Sequence, residues 1–315
     1  MDLSDQPRAD AVAPSAPADF GIVLNVASGR RNDAAFEERL AGALGRHADR
    51  FSISRAPTGK DLGMAIRRAV EAGHPALVAA GGDGTIAAVA EAALAHGRRL
   101  GILPAGTFNF VARGLGIPEE LDAAVRTLVG GTVQPTTVGE VNGRLFLNNA
   151  SLGLYPAILR EREGIYRRWG RSRIAAHWSV VKAIFGAFRP LHLRVTADGR
   201  VIRARTPLLF VARSAFQLDR YGLPGADAVG AGRFALFLVP DVPPLRLFLI
   251  MLRLALGGVR PGRDIELVTC DEITVETSRR RLLVARDGER GPMTSPLTFR
   301  LHRDALQVIA ADSSG

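Results

Sequence analysis

Residues 78–90 read VAAGGDGTIAAVA, an apolar run that stops at two glycines, an aspartate, a third glycine and a threonine before a small-residue helical pattern begins. A buried strand, a tight turn and a helix start thus follow one another without a linker. A helix N-terminus exposes unpaired N–H groups and the positive end of the helix dipole, which suits phosphate. Gly81, Gly82 and Gly84 let the backbone approach an anion closely, and Thr85 is placed to cap the helix or donate its hydroxyl. Asp83 is the odd member, because a carboxylate repels phosphate. It fits if it orients a loop amide, accepts a hydroxyl or reaches a hydrated metal. The plain alternative is a tight βα turn without a ligand. The spacing matches neither the G-x-x-x-x-G-K-[ST] P-loop nor the G-x-G-x-x-G dinucleotide fingerprint.

Working outward, GILPAGTFNFVARGLGIP (101–118) is again a strand, a glycine–threonine turn and a helix. Two adjacent parallel strands would bring both turns to the carboxyl edge of one sheet, where α/β ligands bind. Thr107 and Asn109 would then face the cleft. From Gly21 to about residue 138 strand and helix patterns alternate: GIVLNV, DAAFEERLAGAL, FSISR, GKDLGMAIRRAVEAG, ALVAA, IAAVAEAALAHG, RLGILP, FNFVARGLG and EELDAAVRTLVGG. This predicts a Rossmann-like α/β domain over 21–138, with a parallel sheet covered on both faces.

Beyond 138 the pattern turns antiparallel. Hairpins are expected at Asn142-Gly143 and Asp198-Gly199. GRFALFLV, DIELVTC, EITVETS, RLLVARDGE, LTFRLH and ALQVIAA continue as strands, interrupted by helical insertions at about 157–188 and 244–257. A β-rich domain over 139–299 is expected, of antiparallel sandwich type.

The 315 residues carry 47% hydrophobic and 23% charged side chains, an ordinary globular composition. The net charge of +10 favours an anionic partner: nucleic acid, an anionic membrane or a phosphorylated ligand. Only 6% of residues are aromatic and no nucleic-acid motif occurs, so nucleic acid is not expected as a partner. Cys270 is the single cysteine, which excludes an internal disulfide and fits a reducing compartment. Within IELVTCDEITVE it reads as a packing residue. Residues 1–20 are rich in Ala, Pro, Asp and Ser and read as a flexible tail, not a signal peptide. No apolar run reaches the roughly 18 residues of a membrane span. A cytoplasmic protein is expected, with a peripheral place on the inner membrane face as the extension of that reading.

GGDGT at 81–85, followed about 20 residues on by LPAGTFNFVARGLGIP, resembles the catalytic domain of the diacylglycerol kinase and sphingosine kinase family, most closely its bacterial soluble lipid kinases. IVLNVASGR (22–30) is similar to the family's first motif at Asn25, Ser28 and Gly29, with Val26 in place of proline. GEVNGRLFLNNASLGLYP resembles the lead into the second domain, and ARDGERGPMTSPLTFRLHRDALQVIA the closing motif. These stretches span about 20–310. The resemblance implies an ATP-binding α/β domain, then a β-rich lipid-binding domain, with ATP between them and a C-terminal strand at 300–310 returning to the first domain.

By the same resemblance Asn25, Ser28, Gly29 and residues 81–85 surround the nucleotide, with Thr107 and Asn109 beside it. Thr58 is a further nucleotide candidate, but TGKD also matches the helix-start pattern [ST]-x-x-[DE], which is preferred. Phosphate transfer to an alcohol needs a positioned hydroxyl and a proton acceptor. Glu289 is assigned as that base, Asp287 as its orienter or a Mg²⁺ contact, and Asp83 as part of the catalytic group. Mg²⁺ is expected to accompany ATP, and a membrane lipid to be the acceptor.

Two departures stand out. Phe110 lies where the family often has aspartate. Ala231 precedes Gly232 where the family's Asp-Gly helps hold a structural Mg²⁺. The segment 159–192, with Arg167, Arg168, Arg171, Arg173, Trp169, Trp178 and Phe185, and the segment 245–256 read either as membrane-contacting helices or as ordinary packing helices. The alternatives to a lipid kinase are a catalytically weak lipid- or nucleotide-binding protein, motivated by Ala231, and an NAD kinase, which shares GGDGT but not the stretch after it.

Overall fold

The computed structural model describes residues 18–26, 33–159 and 189–311. Ser28, Gly29 and the arginine-rich part of the first insertion, with Trp169, Trp178 and Phe185, lie outside the described residues, as do residues 1–17 of the tail.

The first half follows the alternation predicted from the sequence: β1 (Phe20–Asn25), α1 (Asp33–Leu44), β2 (Phe51–Ala56), α2 (Leu62–Glu71), β3 (Ala76–Gly81), α3 (Asp83–Ala95), β4 (Arg99–Pro104), α4 (Phe110–Gly114) and α5 (Leu121–Gly130). Strands β2-β1-β3-β4 run parallel in that order. Successive side chains of a strand point to opposite faces. Ile22 and Leu24 of β1, with Val78 and Ala80 of β3, therefore pack with α1 and α5. Val23, Leu77 and Ala79 pack on the other face with α2 and α3. This two-sided cover explains why ALVAA is wholly apolar and fully buried.

The second half contains β5 (Thr132–Val141), β6 (Arg144–Phe146), β7 (Asn149–Gly153), β8 (Leu191–Ala197), β9 (Arg200–Thr206), β10 (Leu208–Ala212), α6 (Ala215–Arg220), α7 (Ala226–Gly230), β11 (Phe234–Leu238), α8 (Pro244–Ala255), β12 (Glu266–Cys270), β13 (Ile273–Glu276), β14 (Arg281–Arg286), β15 (Glu289–Thr294) and β16 (Leu297–Ala310). Six strands form an antiparallel sheet in the order β12-β11-β10-β7-β14-β15. One face of it packs on β8, β13 and the start of β16 through Phe146, Phe234 and Phe299, making a sandwich core. Its other face is covered by α6, α7 and α8. Cys270 is 1% exposed inside the sandwich, and burial pushes its thiol up to about 12, which fits a packing residue.

Two details differ from the sequence reading. LTFRLH and ALQVIAA are one strand, β16, bent by a bulge between His302 and Leu306. Its first part pairs with β13, and Val308 pairs in parallel with Leu100 of β4. The first sheet is thereby continuous from β2 to β9. Asp304, with φ 52°, makes the bend. The stretch 213–232 carries two short helices, α6 and α7, too brief for a periodic signal.

Candidate active site at the carboxyl edge of the parallel sheet

The turn after β3 is nearly free of side chains. Gly82 is the N-cap of the 13-residue helix α3, and no side chain caps it. The amides of its first turn therefore point outward without an intrahelical acceptor. The turn after β4 lies directly against it. A Cβ placed on Gly106 would sit 2.6 Å from Gly82 Cα, so the two turns meet backbone to backbone.

Asp83 resolves its own puzzle. Its Oδ1 accepts the Val111 amide at 3.0 Å, capping the start of α4 rather than facing an anion. Burial raises its pKa, and the amides of Val111 and Phe110 act against that rise. Asn109 has φ 49° and is buried. Its Oδ1 accepts the Gly106 amide at 3.0 Å and its Nδ2 donates to Glu119 Oε1 at 2.8 Å. Both ends of this side chain thus hold the second turn in shape. Thr107 and Phe108 sit exposed on its rim. At the end of β1, Asn25 Nδ2 donates to Thr85 Oγ1 at 2.9 Å, tying β1 to α3. Thr58 Oγ1 donates to Asp61 Oδ2 at 2.7 Å, the turn expected ahead of α2.

The third turn arrives from the far end of the chain. Asp287 and Gly288 join β14 to β15 with φ of 46° and 85°, the left-handed pair that a two-residue hairpin requires. Asp287 is almost fully buried. Its carboxylate accepts the amides of Leu147 at 2.7 Å, Asn148 at 2.7 Å and Asn149 at 3.1 Å. Burial pushes its carboxyl up to about 6; the three amides pull the other way, and nearby Asp83 adds to the rise. Both oxygens are committed to the chain entering β7.

Glu289, two residues on, points the other way. A Cβ on Gly84 would lie 2.6 Å from Glu289 Oε1, so this carboxylate rests against the start of α3. No described residue donates a hydrogen bond to it. Burial of its carboxyl raises its pKa, and Arg286 and Arg144 act against the rise. A carboxylate beside a row of open amides can accept a proton from a hydroxyl while the amides hold an anion.

Sequence reasoning named Asp287 and Glu289 but missed their partners. The amides of residues 147–149, which hold Asp287, carry no local signal, since any residue supplies an amide. The residues near Ala231 do not fit a structural Mg²⁺. Among the described residues no three His, Cys, Asp or Glu side chains gather as a metal site. Phe110, Gly230 and Arg213 instead line one cleft of about 220 Å³. Arg213 Nε is buried there without a hydrogen-bond acceptor, and burial lowers its pKa. A guanidinium at this place repels a divalent cation.

The model of the diacylglycerol kinase catalytic domain matches residues 19–141. A Pseudomonas aeruginosa protein named "Probable lipid kinase YegS-like" is 47% identical over 121 residues, covering 37% of this chain and only 39% of that protein. The diacylglycerol kinase of Bacillus subtilis is 27% identical over 300 residues, covering 93% and 97%. In structure, a diacylglycerol kinase from Bacillus anthracis str. Sterne superposes with a TM-score of 0.65 over 94% of this chain and 98% of that one, at 18% identity, a likeness of fold. Residues 19–141, which hold two of the three turns, are thus similar to the diacylglycerol kinase catalytic domain, and the fold as a whole is similar to that of solved diacylglycerol kinases.

Proposed function

We propose that this chain transfers the γ-phosphate of ATP to a hydroxyl of a membrane lipid, diacylglycerol-like or sphingoid-like, as a peripheral enzyme of the inner membrane face. The carrying observation is that Glu289 reaches Gly84, at the uncapped start of α3, from the other end of the chain. A proton acceptor and a phosphate cradle thus share one cleft.

In this reading the amides of Gly82, Asp83, Gly84 and Thr85 hold phosphate oxygens, with Thr107 at the rim. Asn25 fixes Thr85, and Asn109 and Asp83 fix the second turn. Glu289 takes the proton of the acceptor hydroxyl as its oxygen attacks the γ-phosphorus in line. ADP departs as the leaving group. Asp287 acts indirectly, by locking the hairpin that carries Glu289. Mg²⁺ would arrive with the nucleotide, held chiefly by phosphate oxygens and water, which leaves Glu289 open to act as the base. When bound, it neutralises phosphate charge.

The test is transfer of label from γ-labelled ATP into a mixed lipid extract, with wild type, Glu289→Gln and Asp83→Ala in parallel. Label in lipid with wild type, and lost in Glu289→Gln, supports the reading; chromatography of the product then names the acceptor. Unlabelled lipid from folded, ATP-binding wild type overturns it.

A further inference from the structure

Helix α8 is apolar on two opposite sides. Leu247 and Ile250 are buried against the helical layer of the antiparallel sheet. Leu245, Leu249, Leu252 and Leu256 are instead 65%, 43%, 46% and 77% exposed. Their spacing of four, three and four residues makes one stripe along the helix and its C-terminal turn. A single exposed leucine needs no explanation. Four in register, with no described residue over them, form a surface that something covers.

Charge decides what covers it. No acidic residue occurs from 242 to 263, whereas Arg246, Arg260 and Arg263 are exposed around the stripe. The acids at its two borders are neutralised: Asp241 pairs with Arg205 at 3.0 Å, and Asp264 pairs with Arg253 at 3.1 Å. A second copy of this +10 chain would bring arginines face to face. An anionic bilayer accepts both parts, leucines in the acyl boundary and guanidinium groups among the phosphates. A helix of 12 residues is about 18 Å long, and no described helix is long and apolar enough to cross a membrane. This one lies in the interface.

The stripe also ends beside the cleft. A Cβ on Gly222 would sit 3.1 Å from Gly257 O, just past Leu256. Next to Gly222, the Tyr221 ring lies 6.0 Å from Phe110, which stacks at 5.6 Å on Phe108. Phe108 is 60% exposed on the rim of the second turn. A continuous line of contacts therefore runs from the leucine stripe to the candidate active site.

We propose that α8 is a bilayer-docking helix. It seats Leu245, Leu249, Leu252 and Leu256 in an anionic membrane and holds the cleft where a lipid hydroxyl arrives. The purpose of the docking rests on the kinase reading; the docking itself does not.

The experiment is co-sedimentation of the full chain with phosphatidylcholine vesicles, with and without phosphatidylglycerol. Wild type is compared with Leu249→Gln/Leu252→Gln and with Arg260→Gln/Arg263→Gln. The leucine pair is expected to weaken binding about tenfold or more, with an unchanged melting temperature because both side chains are exposed. The arginine pair is expected to lower the preference for phosphatidylglycerol and its salt sensitivity. Wild-type binding by the leucine variant overturns the proposal. So does a leucine variant that changes only the sedimentation size of the free protein, which assigns the stripe to a second copy. Label transfer to detergent-dispersed lipid separates the two readings. A leucine variant that transfers normally in detergent but poorly on vesicles supports docking. Leucine-dependent vesicle binding by a wild type that transfers nothing in detergent leaves docking standing and removes the kinase.

Discussion

The turn at 81–85 and the turn at 287–289 use their carboxylates in parallel but are built differently. The first follows a parallel strand and opens a 13-residue helix, so its chemistry comes from backbone amides. The second closes an antiparallel hairpin, so its chemistry comes from a side chain. In each, one aspartate is turned inward as a structural acceptor: Asp83 for the amide that starts α4, Asp287 for three amides ahead of β7. What remains facing the cleft is Glu289. An acidic motif is therefore not a set of equivalent acids; hydrogen-bond commitment separates the two acids held by backbone amides from the one left open to the cleft.

The sharpest way to break this division is Glu289→Gln. It is expected to lower kcat by about 10²–10⁴-fold, the span of a lost general base, while chemical denaturation stays within about 0.5 kcal/mol of wild type. A large stability loss would make Glu289 a scaffold residue after all. Asp287→Ala is expected to behave in the opposite order. It strands three buried amides and should cost about 2–4 kcal/mol of stability, with activity falling because the hairpin loosens.

The pH dependence sharpens the same point. The Asp287 carboxyl is raised to about 6 in the fold from an ordinary 3.8, so the native state holds the extra proton between these values. Its contribution is then fully present below about pH 4 and lost as pH rises through 6, by at most about 3 kcal/mol. The stability gap between wild type and Asp287→Ala should narrow over that window, as followed by urea denaturation. A gap that widens with pH would mean the amides outweigh burial.

The smallest effects separate the two glycines. Gly106→Ala drives a Cβ toward the Gly82 backbone, which cannot yield, and should cost about 1–3 kcal/mol. Gly84→Ala meets only the Glu289 carboxylate, which can swing away. It should cost under about 1 kcal/mol in melting experiments yet reduce transfer about tenfold by misplacing the acceptor.

Much of the first sheet was legible because each strand–turn–helix unit is coded within a few residues. Gly82 and Thr85 mark a helix start, and the apolar run of β3 marks a strand buried on both faces. The hairpins at Asn142-Gly143 and Asp198-Gly199 were legible for the same local reason. The continuity of β16 was not, because its bulge at Asp304 splits the alternation into two apparent strands. The helices α6 and α7 were missed because a single turn has no period.

The candidate site divides along the same line. The sequence by itself determined the local chemistry: glycines where two turns come together, a helix start without a capping side chain, a left-handed Asp-Gly pair and a glutamate after it. Those properties depend on φ, ψ and neighbours one to four residues away. Only the tertiary structure decided which acid is free. Asp287 finds its three amides some 140 residues earlier in the chain, and Glu289 finds Gly84 only when the sheets are assembled. Amides are identical in every residue, so no side-chain pattern announces where a buried carboxylate will find them.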